Sequence, residues 1–301
     1  ISTDTPLLAL WSAGLLAVCG VASGRLSSPV SMGFAGLAFG AAILAKFAAI
    51  YALIGLTLIC LHGQMTQNKL FEWRDFGVAL LAFGLAASPN IIWNFANDFS
   101  TMRHLADNAD IGQKSASIAG VWRFIGGQFA VAGPVVFLSM IIAAITYWRD
   151  YKSRWLIWMS APVLVLMIIQ SYLSEANANW AITAFPALTI LLAGWLCKMQ
   201  NRLYRIIAIG INFGLSLMVL LVTIAGSMGP FTPQSDPLRR LRGWQQLATD
   251  IAPHIAAHDA VAIIADRRAT ASLLSWHFYH SDLKILVHDD DGTPSNHFEA
   301  N

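Results

Sequence analysis

The sequence predicts an all-α polytopic membrane protein of about eight transmembrane helices, followed by a small C-terminal α/β extracytoplasmic segment. Three observations carry this. Of 301 residues, 56% are hydrophobic and only 12% are Asp, Glu, Lys or Arg, against roughly 25% charged residues in an ordinary soluble domain. The charges leave several runs of about 17 to 22 residues nearly uncharged, each long enough to cross a ~30 Å hydrocarbon core as a helix. After Ser227 the composition turns polar for about 70 residues, which divides the chain into a membrane domain at 1–228 and a tail at 229–301.

Apolar length with polar punctuation places the spans at 5–23, 29–45, 47–62, 76–95, 129–147, 155–173, 181–197 and 206–228. The second and third are separated only by Lys46, so a single helical hairpin with that lysine at its tip is the alternative. Gly20 with Gly24, and Gly36 with Gly40, either put small residues where helices approach closely or reflect only the frequency of glycine in membrane helices. In the tail, Trp244 to Ala257 has an amphipathic helical pattern, Ala260 to Ala265 is a strand, Thr270 to Tyr279 a helix and Leu283 to Val287 a second strand.

The basic residues orient the spans. Arg25, Lys69, Arg74, Arg149, Lys152, Arg154, Lys198, Arg202 and Arg205 fall in loops on one side, whereas Lys46, Arg103, Lys114 and Arg123 fall on the other. The first group marks the cytoplasmic face. Asp4, Lys46, the loop from Ala96 to Gly120, Glu175 to Trp180 and the tail then lie outside. A net charge of +2, with no concentrated basic face, argues against a nucleic-acid partner. Cys19, Cys60 and Cys197 lack any ligand or disulfide spacing and read as small apolar residues. The chain opens on Ile1 with no basic segment before its first apolar run, so that run is not a signal peptide; the sequence is expected to be a fragment, cut at both ends.

No charge lies in the middle of a span, which argues against an ion path through the bilayer. The polar chemistry collects at the outer ends instead. Asp4, in Ser2-Thr3-Asp4-Thr5-Pro6, is either part of a helix start, with Thr3, Asp4 or Thr5 as cap, or an acidic group facing a polar substrate. Lys46 is either a snorkelling interfacial lysine or a cation for a phosphate head group. From Ser88 to Gly112, Asn90, Trp93, Asn94, Asn97, Arg103, His104 and Asn108 form either a solvated loop with an interfacial Trp or a surface rich in donors and acceptors for sugar hydroxyls and phosphate oxygens. Glu175, Asn179 and Trp180 lie either in a plain helix-hairpin turn or in a wall that stacks on a sugar and bonds its edge. His104 with Asp107 or Asp110 is one histidine with carboxylates, which is not a metal-ligand set.

These residues, in this order, resemble bacterial glycosyltransferase family 39, the membrane enzymes similar to protein O-mannosyltransferases and to the aminoarabinose transferase of lipid A. The resemblance rests on Asp4 to Pro6, the Gly-rich run into Lys46-Phe47, SPNIIWN at 88–94 with Arg103-His104, ANWAITAFPAL at 178–188, and RRLRGWQQLA and NHFEA in the tail. It implies a GT-C-like fold and transfer of a sugar from a polyprenyl-phosphate donor to an envelope lipid such as lipopolysaccharide, a glycan or, as in protein mannosylation, a protein. It places this chemistry at the outer, periplasmic face of the bacterial inner membrane. Asp4 would be the second acidic residue of the site, with the main base upstream of Ile1. Lys46 would contact the carrier phosphate, and the Trp93–His104 and Glu175–Trp180 segments would wall the cavity. Phe47 stands where the family pattern has tyrosine.

The residues themselves fit this chemistry, because sugar transfer from a lipid phosphate needs a base for the acceptor and positive charge for the departing phosphate. Lys46, Arg103 and Arg123 are the outer cations. A divalent cation is the one cofactor that this chemistry leaves open. The rival reading is a polytopic lipid or glycan transporter, which would line a path to the cytoplasmic side with polar residues; the sequence shows no such line.

Overall fold

The computed structural model describes residues 2–97, 99, 101, 102, 105, 109, 116–225, 242–288, 298 and 299. The chain divides into two compact units, Ile1–Leu215 and Ser216–Asn301. Its helices are α1 (Asp4–Ala22), α2 (Ser28–Ala45), α3 (Tyr51–Thr66), α4 (Trp73–Ala96), α5 (Ile118–Ala132), α6 (Pro134–Tyr147), α7 (Arg154–Trp158), α8 (Ala161–Leu173), α9 (Phe185–Lys198) and α10 (Arg202–Ala225). Tight 3₁₀ turns at Phe47–Ile50 and Ala178–Ala184 lead into α3 and α9. Among the described residues, seven helical stretches are long and apolar enough to cross a membrane, and the bent pair α5–α6 makes an eighth. The protein is thus an all-α polytopic membrane protein.

The predicted span at 129–147 is corrected. It is two helices, α5 and α6, bent by 105°. Gly133 sits between them at φ +85°, a region that costs glycine little. Pro134 follows at the first position of α6, where a missing N–H goes unused. An apolar run alone carries no sign of such a bend. Within the described residues the other spans are close to their predicted limits, the end of the last at 226–228 lying outside them, and the hairpin alternative resolves as two helices broken at Lys46, whose backbone is extended (φ −163°, ψ 135°).

Small residues set the closest packing. Helices in lipid associate through van der Waals fit more than through apolar burial. A Cβ on Gly36 would stand 2.1 Å from the Ala79 carbonyl oxygen, and one on Gly40 2.4 Å from that of Phe83. These pairs advance together, so α2 and α4 run parallel. The Gly20/Gly24 expectation is corrected: Gly20 faces Leu26 of its own turn, and Gly24 (φ +66°) closes α1, with the Arg25 N–H on the Gly20 carbonyl. Both serve chain reversal. At the other end of the α2–α4 seam, buried Asp75 accepts the Ser28 hydroxyl at 2.7 Å and the Glu72 N–H at 3.1 Å.

One core, around Leu7, Trp11, Phe39, Leu56 and Met159, joins α1 to α4 with α7 and α9. A second, around Phe124, Met140, Val163 and Leu188, joins α5, α6, α8 and α9. α4 continues through Pro89. Proline cannot donate to the carbonyl four residues back, and the Ser88 hydroxyl bonds that oxygen, on Leu85, at 2.8 Å instead. In the second unit, α11 (Trp244–Ala257) precedes β1 (Ala262–Ala265), α12 (Arg268–His277) and β2 (Lys284–Val287). The strands pair in parallel, Ala262 opposite Lys284 through Ala265 opposite Val287. This is the α/β pattern expected of the tail.

Gly36→Ala puts a methyl group against a backbone oxygen that cannot rotate away. It should destabilise the detergent-solubilised protein by about 1–3 kcal/mol, read as a lowered thermal midpoint. Gly84→Ala, where a Cβ meets nothing within 4 Å, should leave the midpoint unchanged.

Candidate functional site

Three of the predicted site residues meet. Asp4 opens α1, Lys46 is the extended residue between α2 and its 3₁₀ turn, and Asn179 lies in the Ala178–Ala184 turn. Lys46 Nζ donates to Asp4 Oδ1 at 2.7 Å, and Asn179 Nδ2 donates to Asp4 Oδ2 at 3.0 Å. Ser2 Oγ donates to the same Oδ2 at 3.3 Å and accepts the Asp4 N–H at 3.2 Å. The pair is partly shielded, with 25% of the Lys46 and 15% of the Asp4 side chain exposed, so its attraction is stronger than that of a fully solvated pair.

The backbone explains how Lys46 arrives there. Leaving the helical region at Lys46 ends α2, with its N–H still bonded to Ala42, and its carbonyl accepts the Ala49 N–H to start the next turn. The side chain thereby leaves the apolar face on which a helical residue 46 would lie. The helix-start reading of Asp4 is corrected in detail. Thr3 is the cap residue but makes no side-chain capping bond, and the Asp4 carboxylate is committed to Lys46, Asn179 and Ser2.

Beside this cluster an apolar groove of about 460 Å³ runs between α1 and α9. Leu8, Ser12 and Leu15 line one wall, and Ile182, Pro186 and Thr189 the other. Leu8 lies one turn beyond Asp4 and Ile182 three residues beyond Asn179, so the groove begins next to the charged cluster. The juxtaposition suits a molecule with an anionic head and a hydrocarbon tail.

The remaining predicted residues are placed differently. Because α2 and α4 run parallel, Lys46 and Asn90 to Asn94 lie at the same end of the bundle. Asn94 is buried, and its Nδ2 donates to the Asn90 carbonyl at 2.9 Å and to Asn90 Oδ1 at 3.1 Å. Trp93 is 51% exposed, and its carbonyl accepts the Asn97 amide at 2.7 Å. No hydrogen bond among the described residues ties Asn90, Trp93 or Asn94 to the Asp4 cluster. Trp180 is half-buried against the second core, with its backbone N–H on the Asn177 carbonyl at 3.0 Å, so it anchors the turn that carries Asn179. Glu175 is exposed, and its carbonyl accepts the Gln170 amide at 3.3 Å. Arg103, His104 and Asn108 lie outside the described residues, as do Asp107 and Asp110. No group of three or more His, Cys, Asp or Glu side chains among the described residues is placed to hold a metal ion.

The basic loops gather at the opposite end. Arg154 Nη1 meets His62 Nε2 at 2.6 Å, joining the start of α7 to the far end of α3, and Lys198 lies 5.1 Å from the Tyr147 ring centre. Ser2 was singled out in the sequence only as part of the helix-start motif, yet it holds both the amide and the carboxylate of Asp4; a serine two residues before an acidic helix start is the signal that marks it.

Over 305 aligned residues, the sequence is 29% identical to the lipid A galacturonosyltransferase RgtD of Rhizobium johnstonii, an alignment that takes in 99% of this chain. The chain spans 62% of the length of that relative. No family model matches the chain, and no solved structure matches it.

Asp4→Asn removes the charge that neutralises Lys46 but leaves a side chain that Asn179 can still reach. It should cost about 1–2 kcal/mol, between the value of an exposed pair and that of a buried one. Lys46→Met should cost a similar amount, and the double variant should cost less than the sum of the two. Thermal unfolding of the four proteins measures the coupling; strict additivity would show that the ion pair contributes nothing.

Proposed function

We propose that the chain belongs to a membrane glycosyltransferase that moves a sugar from a polyprenyl-phosphate carrier to an envelope acceptor at the outer face of a bacterial inner membrane. The observation that carries this reading is the Asp4–Lys46–Asn179 cluster at the mouth of the apolar groove. An ammonium has three N–H donors. One is given to Asp4, which holds the group in place, and the others can meet a phosphate oxygen while the groove takes the first part of the carrier's tail. We assign Asn179 and Glu175, both exposed at this end, to the sugar hydroxyls.

An acceptor hydroxyl oxygen attacks the anomeric carbon, the bond from that carbon to the phosphate oxygen breaks, and the electron pair leaves with the carrier phosphate. The acceptor proton passes to a base. Lys46 offsets the negative charge that grows on the phosphate oxygen, and a fixed cation does this without reorganising at the moment of reaction. The similarity to a lipid A galacturonosyltransferase makes a lipid A-type acceptor and a galacturonosyl donor the first pair to test. We read the end carrying the nine loop cations as cytoplasmic and the cluster as periplasmic.

The test is transfer of radiolabelled sugar from undecaprenyl phosphate to total envelope lipid by the purified membrane protein. Label should leave the carrier and appear in a lipid acceptor. Lys46→Met should lower the rate roughly 100-fold, and Asp4→Asn should lower it sharply while membrane insertion is unchanged. Unaltered turnover in both variants would remove the cluster from the site. Movement of intact carrier across vesicles, without transfer, would replace the enzyme with a transporter.

A further inference from the structure

Gln128 belongs to none of the polar groups that the sequence marks at the outer end. It lies in α5 on the stripe Gly120, Phe124, Gln128, which is the buried face of that helix. Its side chain is fully buried. A primary amide in an apolar setting is costly unless it is bonded; Oε1 has no partner among the described residues, and Nε2 reaches out of its own helix. Nε2 donates to the Phe124 carbonyl, as a helical neighbour would, and also to the Ala178 carbonyl, both at 3.2 Å. Both partners are acceptors, so the assignment of the amide nitrogen is fixed by the contacts themselves.

Ala178 begins the 3₁₀ turn, and the next residue is Asn179, the donor to Asp4 Oδ2. Gly127, beside Gln128, approaches the same point: a Cβ there would stand 2.8 Å from the Ala178 Cβ. Two turns earlier, about 12 Å along the helix, the same stripe of α5 is held at its other end. The Gly120 position would put a Cβ 2.2 Å from the Ser171 carbonyl oxygen of α8, and the Ser117 N–H bonds the Tyr172 carbonyl at 2.9 Å. α5 therefore spans from the end of α8 to the start of the turn that carries Asn179. The stretch between, Ser174 to Asn177, is irregular and cannot by itself fix where Asn179 stands.

We infer that Gln128 is a positioning residue for the Asp4–Lys46–Asn179 cluster: by holding the Ala178 carbonyl it sets Asn179 on Asp4, and so fixes the carboxylate that holds the Lys46 ammonium. This rests on the reading of that cluster as part of the transfer site. Gln128 touches no substrate in this account and acts through the backbone of one neighbouring turn.

The variants are Gln128→Leu, which keeps the bulk and loses the donor, Asn179→Ala, and the two combined. Gln128→Leu should lower kcat about 10-fold with KM within about two-fold, Asn179→Ala should do the same, and the double variant should be no slower than Asn179→Ala alone. Independent, multiplying losses would overturn the inference, as would a rate in Gln128→Leu equal to that of the parent. Gly127→Ala, which pushes on Ala178 without touching the amide, should reproduce the kcat loss if Gln128→Leu fails to fold; a normal rate there would contradict the inference. Hydrogen exchange of the whole chain in nanodiscs decides the matter without activity. The amides of residues 180–184 should exchange faster in Gln128→Leu while those of α2 keep the parent rate. Unchanged exchange at 180–184 overturns the clamp, whereas absence of any transfer by the parent, with faster exchange in the variant, would fault the proposed function and leave the clamp standing.

Discussion

The ion pair between Asp4 and Lys46 is the contact on which the candidate site depends. It joins residues 42 positions apart in the chain, one at the start of a helix and the other at the break between two. Without Asp4, the Lys46 ammonium would be free to turn toward water on its flexible stem. Together they close the mouth of the α1–α2 hairpin, and Asn179 adds the third segment. The extended backbone at Lys46 is the local condition for this: had α2 continued without a break, the ammonium would have been carried around to another face.

The rest of the fold supplies rigid supports for those three residues. Glycine contacts bring α2 to within backbone distance of α4, so the carboxyl-terminal end of α2, and with it Lys46, has little freedom to shift. The Trp11 and Phe39 rings meet edge to face at 5.2 Å across the α1–α2 seam, on the same two helices that present Asp4 and Lys46. Trp180 and the buried face of α5 do the same for Asn179. Polar groups at the opposite end, Asp75 with Ser28 and Arg154 with His62, tie helix ends together. The division of labour is that of many membrane proteins, in which apolar faces meet lipid and the few charges work in pairs at the ends of spans.

Much of this was legible in the sequence because it depends on length and on residue type. The spans, the strand–helix–strand tail and the gathering of polar residues at one end follow from apolar run length, period and the Lys/Arg count. Asp4, Lys46 and Asn179 could be singled out as candidates, yet nothing in the sequence said that they touch, since their contact depends on how α1 and α2 cross. The bend at Gly133 was hidden in an uninterrupted apolar run, and a Gly-Pro pair there reads equally as a tolerated kink. The mutual bonding of the α4 amides was equally hidden. Asn90 and Asn94 sit one turn apart, so the Asn94 amide donates to the Asn90 side chain, and Trp93 between them is exposed. The role of Gln128 is not legible, because a lone glutamine in an apolar helix is uninformative until its partner, a backbone carbonyl 50 residues away, is known.

The central claim is that an anionic lipid head sits on Lys46 with its tail in the groove between α1 and α9. Photocrosslinking with a diazirine-bearing polyprenyl phosphate, followed by peptide mapping, tests it most directly. The account predicts label on peptides that contain Leu8 to Leu15 and Ile182 to Ile190, competed by unmodified polyprenyl phosphate and lost in Lys46→Met. Label confined to other helices, or label on these peptides that Lys46→Met leaves untouched, would contradict it.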